Sequence, residues 1–324
     1  MSYNPALSHY RRNNAPLTRY LPRTLTLQSM HTDFISKNPD VKCSIETYRN
    51  TMKSMKISLK YPKGDQCVDC GVFAEKIKNG SEVSAVESLQ NDFAQHKVKA
   101  EKAIKNYKED AKKGNDTMEH YFSMDLQKVT LLPDMPKIKD SFFLSRLVAF
   151  NLTFAPLCKD AKINSKCVVW HEAMMGRDAN NIIDALMAFL ISERDVKKIT
   201  LWCDNCTGQN KNWFLFTALV MIVNSECINI DTITLRFLTK GHTHMSADGV
   251  HGNIEKEMRR RDGVYDYEDY KSIIANCRKN IDVIEVQKSY QWVKKKRVPR
   301  RNTNDDSTLS TFLLNPVVEA KFIK

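Results

Sequence analysis

The order of apolar segments after residue 118 constrains the fold of this chain more than any other feature. Three strand-like segments come first, and they are followed by helix, strand, helix, strand and helix. The strand-like segments cover 120–129, 146–157, 166–174, 197–205 and 231–239, and the helical segments cover 179–195, 212–226 and 247–261. Three consecutive strands followed by alternating helices and strands are typical of an α/β protein. We therefore predict a mixed sheet flanked by helices.

The N-terminal third has a different, helical pattern. Two short amphipathic segments, 26–38 and 43–57, precede a turn-rich break at 61–71. Residues 81–113 are highly charged with sparse apolar positions, which predicts one long helix exposed on most of its circumference. The change of pattern divides the chain into a helical N-terminal region, an α/β core and a basic tail. These regions are 1–118, 119–290 and 291–324.

The charge balance favours a polyanionic partner. Lys and Arg number 50 against 38 Asp and Glu, which gives a formal net charge of +12. Without a hydrophobic anchor, such an excess favours nucleic acid over a membrane, and the longest apolar stretches, such as 215–223, are too short to span a bilayer. Nine cysteines, an odd number, are typical of a reducing compartment rather than of a disulfide framework. We expect an intracellular protein that does not bind membranes.

Several carboxylates lie at or near the carboxyl ends of predicted strands, where open α/β sheets bind ligands and carry catalytic residues. Asp125 interrupts the first strand, and Asp204 closes the fourth in the segment "LWCDNCTGQNKNWF". Asp248 and Glu255 share one face of the last helix, with His251 between them on that face. A buried carboxylate is costly unless it is hydrogen-bonded or binds a cation. Two Mg²⁺ ions about 3.5–4 Å apart would stabilise such acids and activate water in phosphodiester cleavage.

The polar residues around these acids allow two interpretations. The amides Gln209, Asn210 and Asn212 would position phosphates or water around the strand-end carboxylate. Alternatively, Asn210 or Asn212 is the N-cap of the next helix, and the aspartate itself is a turn or cap residue. His244 and His251 are candidates for substrate binding, and the alternative for His244 is a hydrogen-bonded loop histidine.

Two motifs resemble an uncharacterised, transposase-derived family found in insect and other animal genomes. They are "DNCTGQNKN" at 204–212 and "KGHTHMSADGVHGNIEK" at 240–256, and the likeness runs from about Tyr20 to Tyr270. The resemblance implies an RNase H-like core of the kind found in DDE/D transposases and integrases. It also implies cleavage and strand transfer of DNA in the nucleus, with Mg²⁺ or Mn²⁺ as the cofactor. Whether the protein forms a homo-oligomer stays open.

The same resemblance assigns roles to the acids. Asp125 and Asp204 correspond to the first and second metal-binding residues, and Asp248 or Glu255 corresponds to the third. We favour Asp248 because two histidines flank it and because the N-terminal end of a helix favours an anion. The glutamate of related integrases, which lies within the helix body, argues for Glu255.

One position departs from the family pattern. Relatives have a glutamate in the helix that follows W-x-E-x-x-x-G-R, and Asn181 stands at that position here. If that glutamate helps to hold metal, this copy is weakened or inactive. The competing function is therefore a non-catalytic DNA- or protein-binding domain retained from a transposon.

Cysteine spacing predicts a second metal site with a structural role. Cys67 and Cys70 form a C-x-x-C pair, which supplies half of a zinc site. The resemblance adds His96 on the long helix as the third zinc ligand, and either Cys43 or His120 is the fourth. The alternative is a pair of buried thiols beside a helix start.

Basic residues cluster after the last predicted helix. The cluster comprises Arg259–Arg261, Lys294–Arg297 and Arg300–Arg301, with Tyr290 and Trp292 interleaved. Such a surface suits salt-sensitive contact with the phosphate backbone of DNA. The alternative is a solvated charge run or a nuclear-import signal.

Overall fold

The computed structural model describes residues 6–7, 19–20, 26–54, 67–79, 83–113, 118–136, 138, 143–158, 163–286, 292 and 318–324. These residues fall into two units, Met1–Glu75 and Lys76–Lys324. Within this described part of the chain, no helix is long and apolar enough to cross a membrane.

The first unit contains short helices and a two-stranded ribbon. In the ribbon, β1 (Ala6–Leu7) pairs with β2 (Arg19–Tyr20) in antiparallel orientation. The helices α1 (Leu27–Lys37) and α2 (Ile45–Ser54) confirm the two amphipathic helices predicted from the sequence. Thr26 caps α1, since its side chain accepts a hydrogen bond from the backbone N–H of Ser29.

The helix α3 (Val68–Asn79) corrects the sequence prediction for this part of the chain. The turn-rich break was predicted to extend to residue 71, whereas the helix begins at Val68 and crosses the boundary between the two units. Cys70, Phe73 and Ile77 are half-buried at the spacing of one helix face, and this apolar stripe outweighs the single glycine in the segment. The rest of the predicted break, residues 55–66, lies outside the described residues.

The second unit is built on an eight-stranded mixed sheet. The strands are β3 (Glu119–Leu126), β4 (Thr130–Leu132), β5 (Leu147–Pro156), β6 (Ser165–His171), β7 (Lys198–Cys203), β8 (Thr232–Phe237), β9 (Ile281–Glu285) and β10 (Glu319–Ile323). The helices are α4 (Val83–Lys112), α5 (Ala179–Ser192), α6 (Trp213–Val223), α7 (Ser246–Arg260) and α8 (Tyr267–Asn276). Each strand and helix predicted after residue 80 is present, and β4, β9, β10 and α8 were not predicted.

The strand order is β10-β8-β7-β3-β5-β6-β9, and β4 pairs with β5. The strand β3 is parallel to β7, and β7 is parallel to β8. The strand β5 is antiparallel to both of its long neighbours, β3 and β6. The predicted α/β class, a mixed sheet flanked by helices, is therefore confirmed. The zinc site in the predicted N-terminal region stays a prediction.

Alternation along the strands sends side chains to two different faces of the sheet. In β3, Phe122 and Met124 belong to the core that α5 and α6 cover. Tyr121 lies on the opposite face, where it packs with Trp202 against the apolar stripe of α4. The helices α7 and α8 cover the same face as α4 further along the sheet. Asp125 has the parity of Tyr121 and therefore belongs to the face of α4 and α7.

Candidate metal centre

The pairing of β3 with β7 places the first two predicted acids side by side. Met124 is the register partner of Cys203 in this parallel pair. Asp125 and Asp204 each follow by one residue, and neighbouring strands lie about 4.8 Å apart. Both acids also have the same strand parity, so their side chains leave the sheet on the face of α4 and α7.

A hydrogen-bond network holds the N-terminus of α7 against β3. The hydroxyl oxygens of Ser123 and Ser246 lie 2.7 Å apart, and the backbone N–H of Ala247 donates to the Ser123 hydroxyl at 2.9 Å. The backbone N–H of Ser246 donates to the hydroxyl of Tyr107 on α4, also at 2.9 Å. This network fixes the first turn of α7 and so positions Asp248 beside the end of β3.

Three predicted site residues converge there. Asp125, Asp248 and His251 each offer one ligand atom, and these atoms all lie within 4.8 Å of one another. Nδ1 of His251 lies 3.6 Å from Oδ2 of Asp125. Two carboxylates and an imidazole form a donor set that suits a divalent cation. The sequence prediction that Asp125 and Asp248 share a site is supported by this geometry.

The pKa of Asp125 reflects its surroundings. Burial raises the pKa of this carboxyl to about 7, and the negative charges of Asp204 and Asp248 contribute to the increase. A bound cation would have the opposite effect, because it favours the ionised form of its ligands. The unfavourable environment of Asp125 is therefore one that a divalent cation would relieve.

The two partners from α7 respond differently to burial. Burial alone would raise the pKa of Asp248, but hydrogen bonds from the side chain of His244 and the backbone N–H of Met245 hold this pKa below its ordinary value. Burial lowers the pKa of His251 to about 4. The imidazole is thus neutral at physiological pH, which is the form that binds metal ions.

Asp204 is held by its own loop. Its Oδ1 accepts a hydrogen bond from the backbone N–H of Cys206 at 3.1 Å and from Nδ2 of Asn210 at 2.5 Å. Asn210 is only 2% exposed. Its amide therefore orients the carboxylate, which is a positioning role that neither sequence interpretation had assigned to it.

The other two amides have local roles. Asn212 is the N-cap of α6, since its side chain accepts a hydrogen bond from the backbone N–H of Leu215 at 2.9 Å. The capping alternative is thus confirmed for this residue. Its Nδ2 donates to the backbone carbonyl of Gln209 at 3.2 Å, and Gln209 itself is half-buried. Substrate binding by Gln209, Asn210 and Asn212 stays a prediction.

Two other candidates lie at the margin of the site. The side chain of His244 is 73% exposed, and its Nδ1 lies 3.4 Å from Oδ2 of Asp248. The carboxylate of Glu255 pairs with Arg259 on the same helix at 2.8 Å and is 46% exposed. Among the described residues, the group of converging ligand atoms contains neither Glu255 nor Asp204, and Asp248 is the acid of α7 that it contains. The structure therefore favours Asp248 as the third acid.

A buried lysine lies among the amides Gln209, Asn210 and Asn212, which we call the amide block, and it was not among the predicted site residues. Lys211 is 2% exposed, and its ammonium group donates to Oδ1 of Asn205 at 2.9 Å, next to Asp204. Burial lowers the pKa of this lysine. The signal in the sequence is a single basic residue among amides, seven positions after the strand-end acid Asp204.

Asn181, which stands where the resembled family was predicted to have a glutamate, has a local role at the start of α5. Its Oδ1 accepts a hydrogen bond from the backbone N–H of Asp178 at 3.2 Å, and Oδ1 of Asp178 accepts from the backbone N–H of Asn181. The two residues form a capping box, in which Asp178 is the N-cap and Asn181 is the third helical residue, N3. In this motif N3 is commonly a glutamate or glutamine. The asparagine therefore keeps a capping function that a glutamate would also fulfil.

The predicted zinc ligands lie in both units. In the first unit, Cys67 directly precedes α3 and Cys70 lies in its first turn, with sulfur atoms within 4.8 Å of each other. In the second unit, Nε2 of His96 lies 3.3 Å from Nε2 of His242. His120, one candidate for the fourth ligand, instead has its Nδ1 2.8 Å from a carboxylate oxygen of Glu193.

The basic surface is only partly described. Arg259 pairs with Glu255, and Arg260 and Arg261 lie within ion-pair distance of Glu257. Tyr290, Lys294–Arg297 and Arg300–Arg301 lie outside the described residues. The indole N–H of Trp292 donates to Oδ1 of Asp184 at 2.7 Å, and its ring packs against the sheet core. Trp292 therefore packs on the sheet core, and contact of the basic cluster with DNA stays a prediction.

Residues 157–314 match the model of a protein family described as a domain of unknown function, DUF7869. The matched segment contains Asp204, Asp248 and His251, and it begins after Asp125. No curated protein matches the chain.

Proposed function

We propose that this protein is a metal-dependent nuclease that cleaves DNA phosphodiester bonds at the centre formed by Asp125, Asp204 and Asp248. The observation that carries the proposal is the convergence of ligand atoms from Asp125, Asp248 and His251 within 4.8 Å of one another. The centre lies at the carboxyl ends of two neighbouring parallel strands, where α/β sheets gather their catalytic residues.

The residues of this centre have separate roles in binding the metal and in orienting its ligands. Asp125 would hold a divalent cation as the ionised carboxylate, with its proton released to solvent, since ligation requires the ionised form. Asn210 fixes the orientation of Asp204, and the backbone N–H of Met245 does the same for Asp248. Bound Mg²⁺ or Mn²⁺ would supply Lewis-acid activation of water and stabilise the leaving 3′ oxygen. A freed 3′ hydroxyl would then be the nucleophile for strand transfer.

Two features support DNA as the substrate. The formal net charge of +12 suits a polyanion, because each phosphate contact by Lys or Arg releases condensed counterions. The resemblance of the motifs at 204–212 and 240–256 to transposase-derived proteins favours DNA over RNA. Both features also suit the competing function, a non-catalytic domain that binds DNA or protein.

A nicking assay on supercoiled plasmid DNA tests the proposal. We expect Mn²⁺ or Mg²⁺ to be required, and Asp125→Asn and Asp204→Asn each to reduce the nicking rate at least 100-fold. The control is Asp195→Asn, which changes an exposed aspartate before the amino end of β7, the end of this strand opposite to Asp204, and should leave the rate unchanged. DNA binding without nicking by the wild-type protein would instead identify a binding domain. Preferential cleavage of an RNA–DNA hybrid would place the substrate in a different class.

Structural zinc bound by Cys67, Cys70 and His96, as predicted from the sequence, stays a prediction. If His96 binds zinc, His242 is the best candidate for the fourth ligand, because the two Nε2 atoms lie 3.3 Å apart. We expect protein purified without chelators to contain about one zinc per chain, and His242→Asn to lose it. Absence of zinc from the wild-type protein in elemental analysis would exclude this site.

A further inference from the structure

We propose that His251 is a direct metal ligand and that it makes the centre selective for Mn²⁺ and other transition-metal ions over Mg²⁺ and Ca²⁺. The inference rests on the proposed function only in that a divalent cation binds beside Asp125 and Asp248. It does not require that the protein cleaves DNA.

The distances suit a single ion bound by all three residues. Ligand atoms bonded at about 2.1 Å to one octahedral ion lie about 3.0 Å apart at right angles and about 4.2 Å apart when opposite. The ligand atoms of Asp125, Asp248 and His251 lie within 4.8 Å of one another, and the pair formed by His251 Nδ1 and Asp125 Oδ2 lies at 3.6 Å. Small side-chain rotations would bring all three within bonding distance.

Hydrogen bonding does not account for the position of His251. The residue is only 9% exposed, and 3.6 Å is longer than a hydrogen bond between Nδ1 and the Asp125 carboxylate. Its Nε2 is buried and has no hydrogen-bond partner within the described part of the chain. A buried imidazole in this state is costly, whereas coordination of one ring nitrogen would compensate for part of that cost.

The donor set determines which ions the centre prefers. Mg²⁺ and Ca²⁺ are hard cations that take oxygen ligands, and Mg²⁺ gives up its water reluctantly. Imidazole suits transition-metal ions better, and affinity for a nitrogen-containing site rises from Mn²⁺ through Co²⁺. A centre of carboxylates alone would not discriminate in this way, so the selectivity comes from His251.

Two measurements on Mn²⁺-loaded full-length protein test the inference. Electron spin-echo spectroscopy should detect ¹⁴N coupling from a coordinated imidazole, and His251→Gln should abolish it. His31→Gln is the control, since it replaces a half-buried histidine of α1 that belongs to neither proposed metal site, and it should leave the coupling intact. In titrations, we expect His251→Gln to weaken Mn²⁺ binding at least 10-fold and Mg²⁺ binding less than 3-fold.

The outcomes separate the inference from the proposed function. Bound Mn²⁺ without ¹⁴N coupling, or equal weakening of Mn²⁺ and Mg²⁺ binding, would overturn the role of His251 even if the protein nicks DNA. Retained coupling in a protein that does not nick DNA would support His251 and reject the nuclease. If His251→Gln fails to fold, the comparison of the wild type with His31→Gln and Asp125→Asn decides, because only the Asp125 variant should lose the coupling.

Discussion

Asp125 and His251 lie 3.6 Å apart, and burial shifts their pKa values in opposite directions. The carboxyl has a pKa of about 7 and the imidazole a pKa of about 4, so burial favours the uncharged form of each residue. A cation would replace the proton on Asp125 and would bind the neutral imidazole of His251 without a change in its protonation state. The protonation states that burial favours are thus close to those that a metal site needs.

This shift makes a prediction about stability and pH. The folded protein keeps the Asp125 proton between pH 3.8 and about 7, whereas the unfolded chain releases it near its ordinary pKa. The stabilisation by Asp125 is therefore present at low pH and is lost as the pH rises towards 7. The difference in unfolding free energy, metal-free wild type minus Asp125→Asn, should fall by about 1–3 kcal/mol from pH 5 to pH 8. Urea unfolding at both pH values measures it, and a constant difference would contradict the shift.

The amide block offers a second prediction. Asn210→Ala removes the hydrogen bond to Asp204 and should lower metal affinity or nicking about 10- to 100-fold, as loss of a supporting partner commonly does. Asn212→Ala removes the N-cap of α6 and the hydrogen bond to the Gln209 carbonyl, neither of which involves Asp204. It should cost about 0.5–2 kcal/mol of stability without a specific loss of metal binding. Calorimetric titration of both variants with Mn²⁺ distinguishes them. Equal effects would mean that the block acts only through stability.

The sequence identified the acids but not the residues that hold them. Strand parity and position were enough to select Asp125 and Asp204, because both properties are local. The contact of Asn210 with Asp204 depends on the conformation of the intervening turn, which residue types alone do not determine. The same holds for Ser123 and Ser246, whose contact joins two segments that are distant in the chain.

At the scale of elements, α7 decides between the two candidates for the third acid. Asp248 and Glu255 share one helix face, which is why spacing could not separate them. A rise of 1.5 Å per residue nevertheless places Glu255 about 10 Å further along the helix. Only the first turns of α7 lie beside the end of β3, and this proximity depends on tertiary packing.

We therefore expect Asp248→Asn and Glu255→Gln to behave differently. Asp248→Asn should abolish metal-dependent nicking while retaining an acceptor for the backbone N–H of Met245 and hence most of the stability. Glu255→Gln should lose only its surface ion pair with Arg259, which contributes at most about 1 kcal/mol. Loss of nicking in the glutamine variant alone, with an intact fold, would reverse this assignment.

The elements that the sequence did not reveal are mostly short. The strands β4, β9 and β10 contain three to five residues each, which is too few for a clear alternating pattern. The strand β10 also pairs with β8, which lies far away in the chain. Its formation therefore depends on a distant segment and not on its own residues alone. The longer strands β5 and β7 were predictable because their apolar runs extend over most of their length.

The two faces of β10 provide a matched pair of substitutions. Phe322 is 9% exposed and packs against Phe216 with ring centroids 5.7 Å apart, whereas Ile323 is 62% exposed. Phe322→Ala should lower the unfolding free energy by about 2–4 kcal/mol, and Ile323→Ala should change it by about 0.5 kcal/mol or less. Urea unfolding tests both variants. Similar values for the two would contradict the pairing of this strand with the core.

At the scale of the whole molecule, the candidate centre belongs to the second unit alone. Asp125 comes from β3, Asp204 follows β7 and Asp248 lies on α7, so the sheet must form before the acids meet. The family match at 157–314 omits β3 and therefore covers only part of the centre. The complete second unit is needed to test the function.

A crystal structure of the full-length protein soaked with Mn²⁺ tests the central claim most directly. We predict an anomalous difference peak about 2.1 Å from carboxylate oxygens of Asp125 and Asp248 and close to a ring nitrogen of His251. A second ion, if bound, should lie about 3.5–4 Å away on the side of Asp204. Well-ordered density for these side chains at millimolar Mn²⁺, without an anomalous peak between them, would contradict the claim that they form a metal centre.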